Sequence, residues 1–422
     1  MEQHYGIVIV GGGSAGCAAA VAAARHGKRV LLIERYGFLG GTGTSVLDSF
    51  YGFFLPGLES KRVVGGVGWE VVKTLDALHA MMFRPSSYGA GTAVTYNPEV
   101  LKIVWDQMVI ESGAEVLFHA LCTRVRCDGQ RWHVTVATRT EPRDISAHVL
   151  IDATGDAQVS AWAGAKWDPI DPTHLQSLTT IFRLVNVDSQ LAETITHDRL
   201  VELMNQAVDA GYDLPRIDGS IHKTPITGSY VANMTRVTGV NPLIPERLSQ
   251  AEIEGRRQVL LYVKFLKDFV PGYRDAALAG LSIHVGVRES RRIIGQYTLT
   301  REDVLRAREF PDTIALSGAP IEDHQKGSNT TWEYLPPGLA VGIPLRTLIP
   351  EGMTNLLVAG RCLSATHDAH AAIRSMGQCM AMGQAAGTTA ALAIEADVSV
   401  AKLPYEPLRD ALLRNKAILE VS

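Results

Sequence analysis

The chain has 422 residues, enough for roughly two to three domains that each bury a core. Its 46% hydrophobic and 20% charged content fits a soluble α/β protein and excludes a disordered chain or a membrane protein. Lys and Arg number 40 against 44 Asp and Glu, so no field is strong enough to recruit nucleic acid or an anionic membrane, and small-molecule chemistry is left.

Nothing in the sequence reads as a bilayer span. The bland run VIVGGGSAGCAAAVAAA follows the acid-containing start Met-Glu-Gln-His, unlike a signal peptide, and its central glycines would make a poor membrane helix. A cytoplasmic location is the expectation. Cys17, Cys122, Cys127, Cys362 and Cys379 form no CxxC and no zinc spacing. Their odd number argues against a secreted disulfide framework, so reduced and mostly buried thiols are expected.

Residues 6–35, GIVIVGGGSAGCAAAVAAARHGKRVLLIER, give a strand, then Gly11-x-Gly13-x-x-Gly16, an alanine-rich helix stopped near Gly27, and a second strand ending at Glu34. This is a complete βαβ dinucleotide fingerprint. Gly11 permits the tight turn, Gly13 lets the backbone approach a pyrophosphate, and Gly16 lets helix and strand pack closely. The helix N-terminus offers free amides to the phosphates, and Glu34 stands where an acid accepts ribose hydroxyls. This unit alone does not choose between FAD and NAD(P).

Next, Asn97-Pro98 opens an amphipathic helix with Val100, Leu101, Val104, Trp105 and Met108 on one face, stopped near Gly113. Strands follow at Glu115 to Phe118 and Thr123 to Arg126, then an Asp128-Gly129 turn and an alternating strand carrying Trp132, Val134 and Val136. This meander leads into LIDATGDAQVSAWAGA, a strand ending at Ala153-Thr154-Gly155-Asp156 before a small-residue helix.

Residues 166 to about 344 differ in texture, with strands near Thr179 to Val187 and Tyr230 to Val237. A long helix is expected from the capping box Ser249-x-x-Glu252 to a stop before Pro271, and a short one after Thr300-x-x-Asp303. The polar stretch 323–338 reads as a connection or a lid. Tyr51, Trp332 and Tyr334 read as core or as pocket lining. Residues 355–393 give another strand, a Gly360-Arg361 turn, a loop and a long helix carrying Gly377, Gly383 and Gly387. Those glycines serve either close helix packing or a flat ring set against the helix start.

Taken together, GGGSAG with Glu34-Arg35, LGGTGTS, IDATGDA, GVRESRRIIGQYTLT at 286–300, and IPLRTLIPEGMTNLLVAGRCLSATH through GQAAG at 343–387 resemble the FAD-dependent oxidoreductases of the FAD_oxidored group. These lie in the glutathione-reductase-like (GR2-type) flavoprotein superfamily. The resemblance implies an α/β fold: a Rossmann-like FAD-binding domain with a central parallel sheet and β-meander, plus a mixed α+β substrate domain. The FAD-binding domain would comprise 1–54, 95–165 and 345–422, and the substrate domain 55–94 and 166–344.

It further implies that Gly11, Gly13, Ser14, Gly16, Glu34 and Arg35 hold the ADP half of noncovalent FAD. Gly41 and Thr42 would pass beside the pyrophosphate and ribityl chain, and Val125 would meet adenine through its backbone. Thr154, Gly155 and Asp156 would complete the nucleotide site, while Gly360, Arg361, Met376, Gly377 and Gln378 would surround the ribityl and flavin. Disulfide reductases of the wider superfamily carry a cysteine pair just beyond LGGTGTSV, where this chain has none, so electrons pass between flavin and substrate directly or to a second carrier.

With flavin N5 as the redox centre, the protein needs a base, an anchor and a shaped pocket. His367 is the first expectation for proton transfer, with His370 as second, because imidazole titrates near neutrality. Arg374 is expected to anchor a substrate carboxylate or sit by the reduced flavin's N1–C2 locus, and Arg288 to anchor substrate. The HxxH spacing lacks further ligands, so no metal is expected. The reading is an FAD-dependent oxidoreductase (dehydrogenase, oxidase or reductase) moving a hydride equivalent between a small organic substrate and flavin N5. The alternatives are an NAD(P)H-dependent flavin monooxygenase and a non-enzymatic FAD-binding protein. Oxygen, a nicotinamide or a carrier remains open as electron acceptor, as does a homo-oligomer.

Overall fold

The computed structural model describes residues 3–57, 60–86, 89–169, 171, 174–324 and 330–421. β1 (Gln3–Val10), α1 (Ser14–Arg25) and β2 (Val30–Ile33) form the βαβ unit that the sequence predicts. Gly27, at φ +72°, takes the left-handed turn that ends α1. The glycine turn at 40–41 then enters α2 (Thr42–Ser45). β3 (Ser49–Phe50), α3 (Gly66–Ala77), β4 (Met81–Arg84) and β5 (Ala93–Tyr96) follow, the strands pairing antiparallel in the order β3-β5-β4.

α4 (Pro98–Glu111) starts where Asn97 accepts the Glu99 N–H and Pro98 needs no donor of its own. Its buried face holds Leu101, Val104, Trp105 and Met108. β6 (Glu115–Leu117), β7 (Leu121–Cys127), β8 (Trp132–Ala137) and β9 (Arg143–Asp152) complete most of the main sheet. Its order is β6-β2-β1-β9-β8-β7. Pairing is parallel from β6 to β9 and antiparallel through the meander β9-β8-β7. The length of β9 explains the mixture: residues 143–147 pair with β8, and residues 150–152 pair in parallel with a later strand.

Beyond α5 (Gln158–Trp162), a second sheet collects β10 (Phe182–Val185), β11 (Ser220–Lys223), β12 (Tyr230–Asn233) and β13 (Ala277–Leu281), antiparallel in the order β11-β12-β10-β13. α6 (Ser189–Ala192), α7 (His197–Asp209) and α8 (Pro245–Phe269) accompany it. Phe182, Leu184 and Tyr230 share a core with Leu203 of α7 and Phe265 of α8, so the helices cover one face of the sheet. α8 begins four residues before the expected capping box, because Pro245 suits a first-turn position. Ser249 Oγ instead donates to the Pro245 carbonyl, and Glu252 accepts the Val285 N–H.

The chain returns through α9 (Arg301–Leu305), whose Thr300–Asp303 capping box is present, and through β14 (Thr313–Ser317), β15 (Ile321–Asp323), β16 (Thr331–Glu333) and β17 (Val341–Pro344). β15 and β16 pair antiparallel; residues 325–329 of the lid candidate between them lie outside the described residues. β18 (Leu356–Val358) supplies the parallel partner of β9, followed by α10 (His367–Ile373), α11 (Met376–Glu395) and α12 (Tyr405–Arg414).

α1 and α11 lie against each other through their small residues. A β-carbon on Gly383 would come 2.1 Å from the Ala15 carbonyl oxygen, and one on Gly387 would come 2.2 Å from that of Ala19. A β-carbon on Gly377 would come 3.1 Å from both a Phe53 ring carbon and the Tyr51 carbonyl oxygen. All three glycines therefore serve protein packing. The core around α1 and α11 also takes in Val63, Val71, Ile314 and Ile343, so parts of 55–94 and 293–344, expected with the substrate region, pack against the nucleotide side.

Candidate functional site

One cleft of about 1060 Å³ runs from the loop after β1 to the open face of the second sheet. At its nucleotide end, Gly11 has φ +104°, and a β-carbon there would strike the Ala153 carbonyl at 2.5 Å. A β-carbon on Gly16 would lie 1.8 Å from the Gly11 oxygen, so the helix rests directly on the loop. On Gly13 the nearest atom would be 3.8 Å away, which leaves that backbone open to the cleft. No side chain caps α1, so its first-turn N–H groups and positive dipole end are free for an anion.

Glu34 is buried, its carboxylate accepting the Gly12 N–H at 2.7 Å and the Tyr36 N–H at 2.8 Å. Burial raises its pKa while those bonds oppose the rise. It thus ties the glycine loop to the end of β2, and each oxygen keeps a second lone pair for a ligand hydroxyl. Asp152, fully buried at the end of β9, accepts from Thr154 N and Oγ1 and from Ser160 N and Oγ, which shapes the Ala153-Thr154-Gly155 turn. Asp156 then receives Arg361 Nη2 at 2.8 Å and Ser290 Oγ at 2.7 Å, joining the ends of β9 and β18 to the VRES segment.

At the start of α11, Ser375 and Met376 line the cleft beside Arg374. The Arg374 Nε and Nη2 atoms are buried with no hydrogen-bond partner, and burial lowers its pKa. Further in, Arg288 donates to the Ser177 carbonyl at 2.7 Å and has no carboxylate partner among the described residues. Burial, with Arg374 and Arg216 nearby, pushes its pKa down to about 9. Glu322 faces the same space, 2.8 Å from His324 Nε2. Burial alone would raise its pKa, yet His324, Arg374 and Arg288 hold it at about 2. Burial and Arg288 keep His324 neutral, at about 3. A neutral ring that donates from Nε2 to Glu322 accepts at Nδ1 from Thr330 Oγ1, 3.0 Å away.

The structure brings Gly11, Gly13, Ser14, Glu34, Arg35, Gly41, Thr42, Thr154, Gly155, Asp156, Gly360, Arg361 and Met376 to this cleft, together with Arg288 and Arg374. Other expected residues stand apart from its lining. His370 is 1% exposed and bonds through Nε2 to the Arg361 carbonyl; burial drives its pKa well down, so it holds the turn in place. His367 lies 2.9 Å from Glu289, behind the cleft wall. Neither histidine is among the residues that line the cleft; His370 meets the Arg361 carbonyl and His367 the VRES segment. Val125 is paired with Val134 in β7, and the cleft is lined instead by residues 120–123. Gln378 is fully buried and donates to the Gly52 and Leu316 carbonyls, and Gly377 packs against Tyr51 and Phe53.

Sequence reasoning missed Glu322 and His324, which also line the cleft. Their only signal was an acid and a histidine at i and i+2 in IEDH, which puts both on one face of a strand. Tyr51 and Trp332 line the cleft too, and Tyr334 accepts nothing there but takes the Gly89 N–H at its Oη, 2.9 Å away. All five cysteines are free, with Cys127 exposed and the rest buried. Among the described residues no group of three or more His, Cys, Asp or Glu could hold a metal, and no helix is long and apolar enough to cross a membrane.

Uncapped helix amides, a glycine loop open at Gly13 and an orphaned guanidinium at the far end supply the donors, and a ribose-side carboxylate the acceptor, that a flavin dinucleotide needs. Fold and cleft together define a flavoprotein oxidoreductase with a Rossmann-type nucleotide-binding fold. The chain belongs to the FAD dependent oxidoreductase family, which matches residues 6–412, and FAD is its cofactor. It is 29% identical over 206 residues to a digeranylgeranylglycerophospholipid reductase of Picrophilus torridus, covering 45% of this chain and about half (49%) of that one. A thiamine thiazole synthase of Sulfolobus acidocaldarius is 27% identical over 244 residues, 55% of this chain and 83% of that one. A geranylgeranyl bacteriochlorophyll reductase-like structure from Thermoplasma acidophilum superposes with a TM-score of 0.52 at 15% identity, covering 99% of this chain and 85% of that chain. A p-nitrophenol 4-monooxygenase from Pseudomonas putida gives 0.50 at 13% identity, covering 97% and 84%. At these identities the structures share the fold.

Proposed function

We propose that the protein moves a hydride equivalent between a small organic substrate and noncovalently held FAD, as a member of the glutathione-reductase-like superfamily that works without a protein disulfide. The observation that supports this most is the continuity of the cleft, from the α1 N-terminus past Arg361 to a polar chamber beside Ser220 of β11 and Asn233 of β12. Bound FAD supplies a two-electron acceptor at N5. The protein's own residues do the rest.

In this reading Gly11, Gly13, Ser14, Glu34 and Arg35 hold the ADP half, and Gly16 acts by seating the helix. Gly41, Thr42, Thr154, Gly155, Asp156, Gly360 and Arg361 line the middle. Arg374 and the start of α11 at Met376 meet the ring, so the orphaned guanidinium donors gain a partner. Arg288, Glu322 and His324 form the substrate chamber, with Tyr51 and Trp332 as walls. Glu322, rather than His367 or His370, accepts the hydrogen bond of the substrate O–H or N–H and would take its proton as the hydride is removed. Residues 166–292 supply the substrate region, and the return through β14 and β17 belongs to the nucleotide side.

The test is the visible absorption spectrum of the purified protein, then anaerobic addition of NADPH and of a panel of amines, alcohols and carboxylic acids. Bleaching by a panel member supports direct hydride transfer. Bleaching by NADPH alone would favour a reductase or a monooxygenase. Yellow colour released on denaturation supports noncovalent FAD, and retained colour refutes it.

A further inference from the structure

The arginines around the chamber divide into two kinds. Arg361 has Asp156, Arg292 has Asp168 and Glu289, and both Arg216 and Arg236 have Asp218. Arg288 and Arg374 have no carboxylate within ion-pair distance among the described residues, although both are only partly exposed on the cleft wall. Glu322 meets one imidazole, that of His324, and its other oxygen has no protein partner there. With His324 neutral, Arg288 and Arg374 exceed Glu322 by one positive charge, and Arg216 with Arg236 exceed the Asp218 they share by another. Partly buried charge of that kind is costly unless a bound group completes it.

We infer that the chamber binds an organic carboxylate that also carries a hydroxyl or amino group, Arg288 taking the carboxylate and Glu322 the O–H or N–H. This rests on the reading of the cleft as one space for FAD and substrate, in which Arg374 faces the cofactor. A carboxylate gives Arg288 the counter-ion it lacks, and a guanidinium fork with a free side suits a planar carboxylate. An ionised Glu322 can only accept, so the ligand must bring a donor. A neutral amide would leave Arg288 uncompensated, and a plain acid would leave Glu322 without its donor. Val46, Leu47, Tyr51 and Trp332 line the remaining wall and suit an apolar body.

The experiment is calorimetric titration of the FAD-loaded protein with lactate, mandelate and 3-phenyllactate, each beside its primary amide and its deoxy acid. At least one hydroxy acid is expected to bind about tenfold more tightly than its amide, and more tightly than its deoxy acid, as loss of a charged hydrogen bond requires. Arg288→Gln should abolish the preference for acid over amide, and Arg288→Lys should keep part of it. Glu322→Gln should remove the preference for the hydroxy acid over the deoxy acid while leaving that for acid over amide. If no acid outbinds its amide in the wild-type protein, or if the preference survives Arg288→Gln, the inference is overturned. The wild-type comparison decides even where a variant fails to fold. A protein that shows its flavin band yet makes no such distinction rejects this inference alone, whereas absence of the band rejects the cofactor reading beneath it.

Discussion

Arg361 Nη2 donates to Asp156 Oδ1 at 2.8 Å, and Arg361 Nη1 donates to Ser290 Oγ, whose hydroxyl in turn donates to the same Asp156 oxygen. The triangle ties the turns after the paired strands β9 and β18 to the VRES loop. Burial alone would raise the Asp156 pKa, but Arg361 and Ser290 hold it below the usual carboxylate range. Arg361→Met should cost about 1–3 kcal/mol, a buried-pair loss discounted because the Asp156 side chain is 35% exposed. The urea midpoint of the apo protein should fall accordingly, and FAD should be lost on gel filtration. An unchanged midpoint would show that the triangle is ornamental.

Gly13 and Gly16 should fail in different ways. A methyl on Gly13 meets nothing nearer than 3.8 Å, whereas one on Gly16 meets the Gly11 carbonyl at 1.8 Å. Gly13→Ala is therefore expected to keep the apo protein's thermal midpoint and lose FAD affinity. Gly16→Ala should lower stability by about 1–3 kcal/mol as well, because α1 must lift off the loop. Equal midpoints for the two variants, by calorimetry, would contradict this division.

The nucleotide end was legible because its rules are local. Turn glycines, an uncapped helix start and an acid closing the second strand all fall within residues 6–35, and backbone sterics fix their geometry. α4 was legible for the same reason, its cap and apolar face lying within seventeen residues. The substrate end was not, because Arg288, Glu322 and Arg374 meet only through tertiary packing, from segments more than thirty residues apart. The two histidines expected at the site of proton transfer are not among the residues that line the cleft. His367 and His370 begin α10, and three residues along a helix keep both on the side that faces Glu289 and the Arg361 carbonyl. The start of α8 was misplaced because a proline at N1 outweighs a capping pattern farther along the same helix.

Arg374 offers a prediction with opposite signs in the two states. Its Nε and Nη2 are buried without partners, a desolvation cost of about 1–3 kcal/mol for the apo protein. Arg374→Met removes that cost while filling similar space, so the apo variant should be at least as stable as the wild type. The FAD-loaded variant should lose part of the stabilisation that FAD confers, since the cofactor no longer meets a cation. Thermal midpoints with and without FAD measure both. A drop in the apo midpoint would mean that the guanidinium already has a structural partner.

Glu289 and His367, 2.9 Å apart, should impose a pH dependence on stability. Burial lowers the His367 pKa, but its hydrogen bond and attraction to Glu289 outweigh this and raise it above the ordinary 6.5. For Glu289, burial raises the pKa, and the His367 hydrogen bond with Arg292 nearby brings it down to about 2 from an ordinary 4.5. A raised histidine stabilises fully below its unfolded pKa and loses that contribution as pH rises through the folded value. A depressed carboxylate stabilises above its unfolded pKa and loses the contribution as pH falls through about 2. The pair is therefore strongest between the two ordinary values. Glu289→Gln also deprives Arg292 of a partner, but arginine does not titrate in this range, so that loss is a constant offset. Urea midpoints should fall for the wild-type protein as pH rises from about 6.5 through the raised folded value of His367, and fall less for Glu289→Gln. Parallel curves over that interval would show that His367 stays neutral beside Glu289.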